Sequence, residues 1–494
     1  MKLRMMTLWI LTILAICVLL CLVSSSSNAD ETTPDDATYS YLTYGTEHPN
    51  YYCKITKARA ESQILHIPTV LEGYDVTIIA SGSFEECPST DIIIPKMVKT
   101  IEPDAFTSCT NLSKVFFMGD CPTMDGAFEE GVTFYHLPDA CGYPSGMNTI
   151  EISEIDDVTY GHFPDGWMVL GGISPAGIIT IRPEINGVAV TSIGPYSFSG
   201  TMQATGEVAR RSDIKEIIIP ESVTDIRERA FYYSDLKTVV FPYSLTAIHD
   251  EAFRAAYLLE NIRFPDKLEY IGFECFRDCH SLTKLTIDNV SHLGDGAFYI
   301  CESLETVSIQ TSSDIPNRLF GYCLKLGSVE ISGSLKSVGN LSFYNCFALR
   351  TITLPHSVKS LGNASFFSCS NLEKVDLGLV ETMGSECFRN CTALNTFSLP
   401  ESLQTIGSYC FADCTGLTTV NAYCSCPSSN TTIFLNDPVT VHCSKDHYES
   451  WKTLQPEIDV QSDLDSTDNK MFFVIPLALL LVLMGIVIIR KLRR

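Results

Sequence analysis

Apolar positions in this chain recur with a long period and not with the period of a helix or a simple strand. Phe231, Phe253, Phe276, Phe298, Phe320, Phe343, Phe366, Phe388 and Phe411 are 22 or 23 residues apart, and Phe84, Phe106 and Phe128 keep an interval of 22. Around each phenylalanine the pattern Leu-x-x-Val/Ile-x-Ile/Leu-Pro-x-Ser-Val/Leu-x-x-Ile-Gly-x-x-Ala-Phe-x-x-Cys repeats, most clearly from Leu349 and from Leu394. One unit predicts one coil. Leu349, Ile352 and Leu354 point inward from a short strand, Pro355 ends it, and His356-Ser357 turn the chain. Val358 and Leu361 re-enter the core, Gly362 permits a tight turn, and Phe366 and Cys369 fill the far side before Leu372 opens the next coil. A single coil cannot bury its own apolar edges, so neighbours must stack, with strands in parallel about 4.8 Å apart.

These repeats resemble the BspA-like leucine-rich repeats. The Ile-Pro-x-Ser-Val turn, Ile-Gly, Ala-Phe and the following Cys carry the likeness over most of residues 60 to 445. The resemblance implies a curved solenoid at a cell surface, in a family that includes adhesins for matrix proteins and for other cells. The ligands of such a family vary, so no particular one is implied.

The period breaks between Phe128 and Phe198. Cys121-Pro122, Phe128 and the segment from Val132 match Cys426-Pro427, Phe434 and the segment from Val439, as two closing caps would. The stretch from Ile67 through Gly73 to Phe84 parallels that from Ile181 through Gly187 to Phe198, as two opening coils would. The expected fold is therefore a repeat solenoid, mainly β with short turns and 3-10 segments, in two arrays of 22–23-residue repeats plus a C-terminal transmembrane helix. The expected order is a signal peptide (1–29), an N-terminal linker (30–50), a short array (51–148), a long array (149–455), an acidic stalk (456–470), a transmembrane helix (471–489) and a basic tail (490–494). An excess of residues between Phe198 and Phe231, from Gly200 to Ser212 with Arg210-Arg211, reads as a loop on the phenylalanine side.

The termini set the compartment. Lys2 and Arg4 precede an apolar run from Met5 to Val23, and Ser27-Asn28-Ala29 suits cleavage before Asp30; the run is long enough to serve as an uncleaved anchor instead. Met471 to Ile489 carry no charge and span about 28 Å as a helix, enough to cross a bilayer. The basic cluster Arg490 to Arg494 then predicts a single-pass type I topology at the cell membrane, with the ectodomain extracellular. A glycolipid anchor signal fits less well, because its apolar tail should end without such a cluster. The formal charge is −24 although six basic residues flank the apolar ends, so the segment between them is more acidic still. That balance excludes nucleic acid as a partner. Apolar residues make up 45% of the chain, which excludes disordered and collagen-like classes.

The chemistry is sparse. Of 20 cysteines, Cys109, Cys279, Cys301, Cys323, Cys346, Cys369, Cys391 and Cys414 share one repeat position and should form a buried column of thiols. Parallel Cβ vectors on neighbouring coils suit a disulfide poorly. Cys275, Cys387 and Cys410 make Cys-x-x-x-Cys pairs without a histidine or second pair to complete a zinc site. Cys121, Cys141, Cys426 and Cys443 fall outside the period, and Cys121–Cys141 and Cys426–Cys443 are candidate disulfides, with free thiols as the other reading. No phosphate loop, zinc-protease, nucleophile-elbow or calcium-loop motif occurs, so neither an enzyme nor a cofactor is expected. Asn111, Asn289, Asn340, Asn363, Asn390 and Asn430 begin glycosylation sequons, with none singled out.

A partner is expected on the outward residues of the strands, which the resemblance puts on the concave side. The central row runs Ile218, Val240, Arg263, Thr286, Ser308, Glu330, Thr353, Asp376, Ser398 and Asn421. A second row, two residues earlier, includes Lys284, Thr306, Thr351, Lys374 and Thr396. Such a ladder, about 45 Å long, suits a protein of a matrix or another cell's surface. Its few aromatics argue against a tight glycan site. A self-associating surface layer and a glycan-binding receptor module are the alternatives.

Overall fold

The computed structural model describes residues 39–47 and 52–464, except 61, 72, 85–86, 203–207, 429–431, 436, 438 and 456. The expected leader and membrane span lie outside the described residues, and among the described residues no helix is long and apolar enough to cross a membrane. The chain winds as a β-solenoid whose coils have three walls. The first wall is the strand of the leucine motif, such as Thr351–Thr353, with Ile352 buried between two exposed threonines. These strands pair in parallel without slippage, Thr351 with Lys374 and Thr353 with Asp376. Val358 N–H then donates to Pro355 O at 3.0 Å, closing the turn that proline starts. The second wall is a two-residue strand, Ser360–Leu361, in a parallel ladder with Ser337–Val338 and Thr382–Met383.

The third wall carries the phenylalanines. Phe367 N–H donates to Ala364 O and Cys369 N–H to Phe366 O, which are i to i−3 turns of 3-10 type. The alternate amides cross to the next coil: Ala364 to Ser385 O, Phe366 to Cys387 O and Ser368 to Arg389 O, each at 2.8 Å. Local turns and bonds to the next coil thus share the backbone donors of this wall. The geometry places two residues per coil in the left-handed region, as at Ala364 (φ 51°) and Ser368 (φ 57°). The rings, buried except for half-buried Phe128, form two columns with centroids 4.7 to 5.9 Å apart, one from Phe84 to Phe128 and one from Phe198 to Phe434. Each buried ring removes enough apolar surface to contribute about 2 kcal/mol. Phe198 and Phe231 are neighbours in the column despite their wider spacing, because the extra residues leave the coil as a hairpin in which Thr201–Met202 pairs with Val208–Ala209.

Two finer points differ from the sequence reading. Gly362 is not a left-handed turn residue; a Cβ there would lie 2.6 Å from the Asn340 backbone nitrogen, so glycine lets successive coils approach. The thiols also do more than fill space. Cys279, Cys301, Cys323, Cys346, Cys369, Cys391 and Cys414 each direct Sγ to the carbonyl of the phenylalanine one coil back, at 3.0 to 3.4 Å.

The ends of the stack are built differently from its middle. Tyr39–Glu47, which falls in the expected linker, pairs antiparallel with Tyr52–Ala60 and so belongs to a sheet. At the other end a ten-residue helix, Lys445–Leu454, buries Trp451, whose Nε1–H donates to Cys424 O at 3.0 Å. Asp459–Gln461, within the expected stalk, adds a strand alongside Thr440–Cys443. Its Val460 is buried, and that apolar side chain is what draws an otherwise acidic segment onto the sheet.

Candidate protein-binding face

The strand wall of the later coils presents its outward residues in register. Glu216 stands beside Thr238, and Ile218 beside Val240. Lys284, Thr306 and Ser328 form one row, and Thr286, Ser308 and Glu330 the next. Thr351 and Thr353 face Lys374 and Asp376, and Thr396 and Ser398 face Thr419 and Asn421. Arg263, Lys284, Thr286, Thr306, Glu330, Thr351, Thr353, Lys374, Asp376 and Thr396 are exposed, while Ser308 and Ser398 are half-buried between taller neighbours. Arg263 and Lys284 make no ion pair with the described residues, so both cations face solvent on an acidic chain.

The corresponding face of the earlier coils is covered. Its outward row is His66, Ile93, Phe116 and Tyr135. Onto it folds a hairpin of Val158–Phe163 and Gly166–Gly172. Phe163 and Met168 form a small core with Ile93, Phe116 and Ile150. Asp165, in the hairpin turn, lies 2.9 Å from His66 Nε2. Burial acts to raise the Asp165 carboxyl, but the His66 hydrogen bond and charge outweigh it and hold the acid below its usual range. The other face of the hairpin, with Tyr160, Trp167 and Val169, belongs to the core of the later coils. One hairpin is thus a wall shared by both stacks.

Charged groups tighten the same junction. Arg229 pairs with Asp75 and with the fully buried Glu251, and donates to Gly73 O at 3.0 Å. Tyr196 O–H donates to Asp75 Oδ1 at 3.0 Å, and Lys96 Nζ sits 4.2 Å from the centre of the Tyr196 ring. Glu251 also pairs with Arg254, which pairs with Glu274, which pairs with Arg277. Behind this chain of ions Asp250 is buried; burial pushes its carboxyl up to about 8 although it accepts the Phe273 N–H at 2.8 Å.

The cysteines of the later coils and their cap are placed for packing, whereas the Cys109 hydrogen bond holds the Cys87 thiol down at about 6. Burial pushes the Cys414 thiol to about 12 and Cys426 to about 11, away from the thiolate that binds metal or attacks a disulfide. Cys121 and Cys141 are joined through their backbones, N–H to carbonyl at 2.9 Å, with Cys141 exposed. Cys426 and Cys443 are buried free thiols that turn to different carbonyls, those of Pro427 and Gln461. Among the described residues no group of three or more His, Cys, Asp or Glu could hold a metal ion.

Sequence reasoning missed a second lateral surface. Just after the core phenylalanines, Tyr299, Tyr322, Tyr344 and Phe367 meet ring to ring at 5.0 to 5.7 Å, with Arg277 over Tyr299 and Arg389 over Phe367. The aromatics absent from the strand wall are here, half-buried, on the third wall. The recurrence of an aromatic one or two residues after the core phenylalanine was the available signal.

Comparison with known proteins follows the repeats. Solved structures similar to this chain include a leucine-rich repeat protein from Bacteroides ovatus, 22% identical over 86% of this chain and 98% of that one, with a TM-score of 0.40. A T. pallidum leucine-rich repeat protein is 23% identical over 45% of this chain and 91% of its own, TM-score 0.35. A leucine-rich cell surface protein from Faecalibacterium prausnitzii is 18% identical over 90% and 97%, TM-score 0.24. No curated protein matches the chain. The model of the BspA type leucine-rich repeat region matches in six copies at residues 51–133, 207–326 and 313–439, more than half of the sequence. This chain belongs to the BspA-type leucine-rich repeat family.

Proposed function

We propose that the chain is a cell-surface binding protein, an adhesin that contacts a protein of a matrix or of another cell through the strand face of the residue 149–455 array. On this reading residues 471–489 anchor it and residues 51–148 form a second, shorter array. One observation carries the proposal: from Glu216 to Asn421 the strand wall offers two rows of exposed and half-buried outward side chains, in register within each run of paired strands, and no element of the described chain covers them as the hairpin covers the earlier coils. A rigid ladder of this kind gives many weak polar contacts, with affinity concentrated where a few side chains become desolvated. The aromatic platforms that tight glycan sites use lie on a different wall, which favours a protein partner.

The test is binding of the full chain in detergent to panels of matrix proteins, glycans and the chain itself. Reversing Arg263→Glu and Lys284→Glu together should weaken a protein partner about tenfold and flatten its salt dependence. Both side chains are exposed, so stability should change by less than about 0.5 kcal/mol each. The control Asp446→Lys with Glu449→Lys, on exposed positions of the terminal helix, should leave binding unchanged. A partner indifferent to the strand pair but lost in the control would move the site off the sheet.

A further inference from the structure

The short stack contains, within one molecule, an occupied strand face. Its occupant is a β-hairpin that lays two apolar side chains, Phe163 and Met168, over Ile93 and Phe116 and extends one turn carboxylate, Asp165, to an imidazole at 2.9 Å. The first coils of the long stack repeat the receiving half. Ile218 and Val240 hold the same strand positions as Ile93 and Phe116, each two residues after the start of its strand and directly paired across coils. Where Ile93 and Phe116 are buried, Ile218 is 49% and Val240 76% exposed. Ile178 in the preceding strand and Tyr243 in the following turn widen the apolar step. The next two coils supply Arg263 and Lys284, exposed and in no ion pair with the described residues. Single exposed apolar side chains are ordinary on protein surfaces; a contiguous pair in register beside free cations is not.

We propose that Ile218, Val240, Arg263 and Lys284 form the docking centre for a β-hairpin of another protein, one that presents two apolar side chains on one face and a carboxylate at its turn. The inference rests on the strand face being the binding surface and adds where on it the affinity lies and what chemistry it selects. The carboxylate sits over the Arg263 and Lys284 coils, where it neutralises two cations, and the apolar residues cover Ile218 and Val240. Polarity is therefore reversed along the stack relative to the short one, in which His66 precedes Ile93.

A display library of disulfide-closed hairpins, randomised at the turn and at both flanks, is selected against the full chain, and the enriched hairpins are synthesised and titrated by fluorescence anisotropy. The expected result is enrichment of alternate apolar residues with Asp or Glu at the turn. Affinity should fall at least tenfold for Ile218→Ser/Val240→Ser and for Arg263→Glu/Lys284→Glu. Replacing the turn acid by its amide should reproduce the second loss and add nothing to it. Because all four side chains are exposed, an unchanged melting temperature certifies that the variants are folded. Hairpins sensitive to Thr351→Glu/Lys374→Glu but not to the four residues would overturn this centre and leave the strand face standing. Hairpins indifferent to every strand-face variant would overturn both, as would failure to enrich any hairpin on the native chain above the Ile218→Ser/Val240→Ser chain.

Discussion

The thiol column makes the sharpest stability prediction. Cys346 is fully buried, between Cys323 and Cys369 in the same column, and its Sγ lies 3.2 Å from Phe320 O. Cys346→Ala removes one buried heavy atom and one weak hydrogen bond. The packing loss is about 1 kcal/mol and the lost bond adds about 0.5 kcal/mol, so the expected cost is 1 to 2 kcal/mol, read as a lower urea midpoint at constant slope. Cys346→Ser should recover part of this, since a hydroxyl retains a donor toward Phe320 O. Cys346→Arg puts an unpaired charge into a core with no space and should cost more than about 4 kcal/mol. Burial holds the thiol well above its ordinary range, and neighbouring thiols raise it further, so the reactive thiolate is scarce. Alkylation of the native protein, followed by mass mapping, should label exposed Cys141 quickly and the column only after denaturation. Column thiols that react at the rate of Cys141, or that are oxidised in protein purified without air, would refute the reasoning.

The repeat was legible because a solenoid must bury the same kind of residue at the same place in every coil, so Phe231 to Phe411 announce the third wall and the Leu-x-x-Ile-x-Leu strands the first. The hairpin at 158–172 was not. Trp167, Met168, Val169 and Leu170 form an unbroken apolar run because one face joins the long core and the other covers the short stack, and a run buried on both faces has no period to read. The asparagines have a role that the sequence did not announce. Asn340 and Asn363 open sequons, yet the Asn317 side-chain carbonyl accepts the Asn340 N–H, Asn340 accepts the Asn363 N–H, and Asn363 accepts the Ser385 N–H, each at 2.7 to 2.8 Å. That ladder ties coil to coil. On the strand face the charged and hydroxyl rows fell where the strand alternation put them. The apolar step at Ile218 and Val240 stood in the same outward row, and the structure adds how far each side chain is exposed.

Two further predictions concern the junction of the stacks. Phe163→Ala removes the ring that leans on Phe116 at 6.1 Å and should cost about 3 kcal/mol. Hydrogen exchange should accelerate in Asp91–Ile94 and Lys114–Phe117 and stay unchanged in Thr351–Thr353; equal acceleration everywhere would mean the hairpin is not a local wall. Asp250→Asn tests the buried acid. Asp250 occupies the ladder position that Asn317, Asn340 and Asn363 fill in later coils, and an amide oxygen can accept the Phe273 N–H equally well. Burial raises the folded-state pKa to about 8, against about 3.9 for an unfolded aspartate. The folded chain therefore holds a proton that the unfolded chain has released, and the acid's favourable contribution, complete below about pH 4, is lost as pH rises through 8. An asparagine has no proton to lose. Asp250→Asn should match the native chain near pH 4, gain on it as pH rises to about 8, and hold that gain above it. At about 1.4 kcal/mol per unit the ceiling is near 6 kcal/mol, and a gain above about 1 kcal/mol is expected after local relaxation. Asp225 does not confuse the window: burial acts to raise it, but Arg227 and His249 outweigh burial and hold it below the usual carboxylate range, so it stays ionised above pH 5. Melting curves of both proteins from pH 5 to 9 decide the matter, and a difference that does not widen with pH would show that Asp250 is ionised in the folded chain and that water or a cation reaches it.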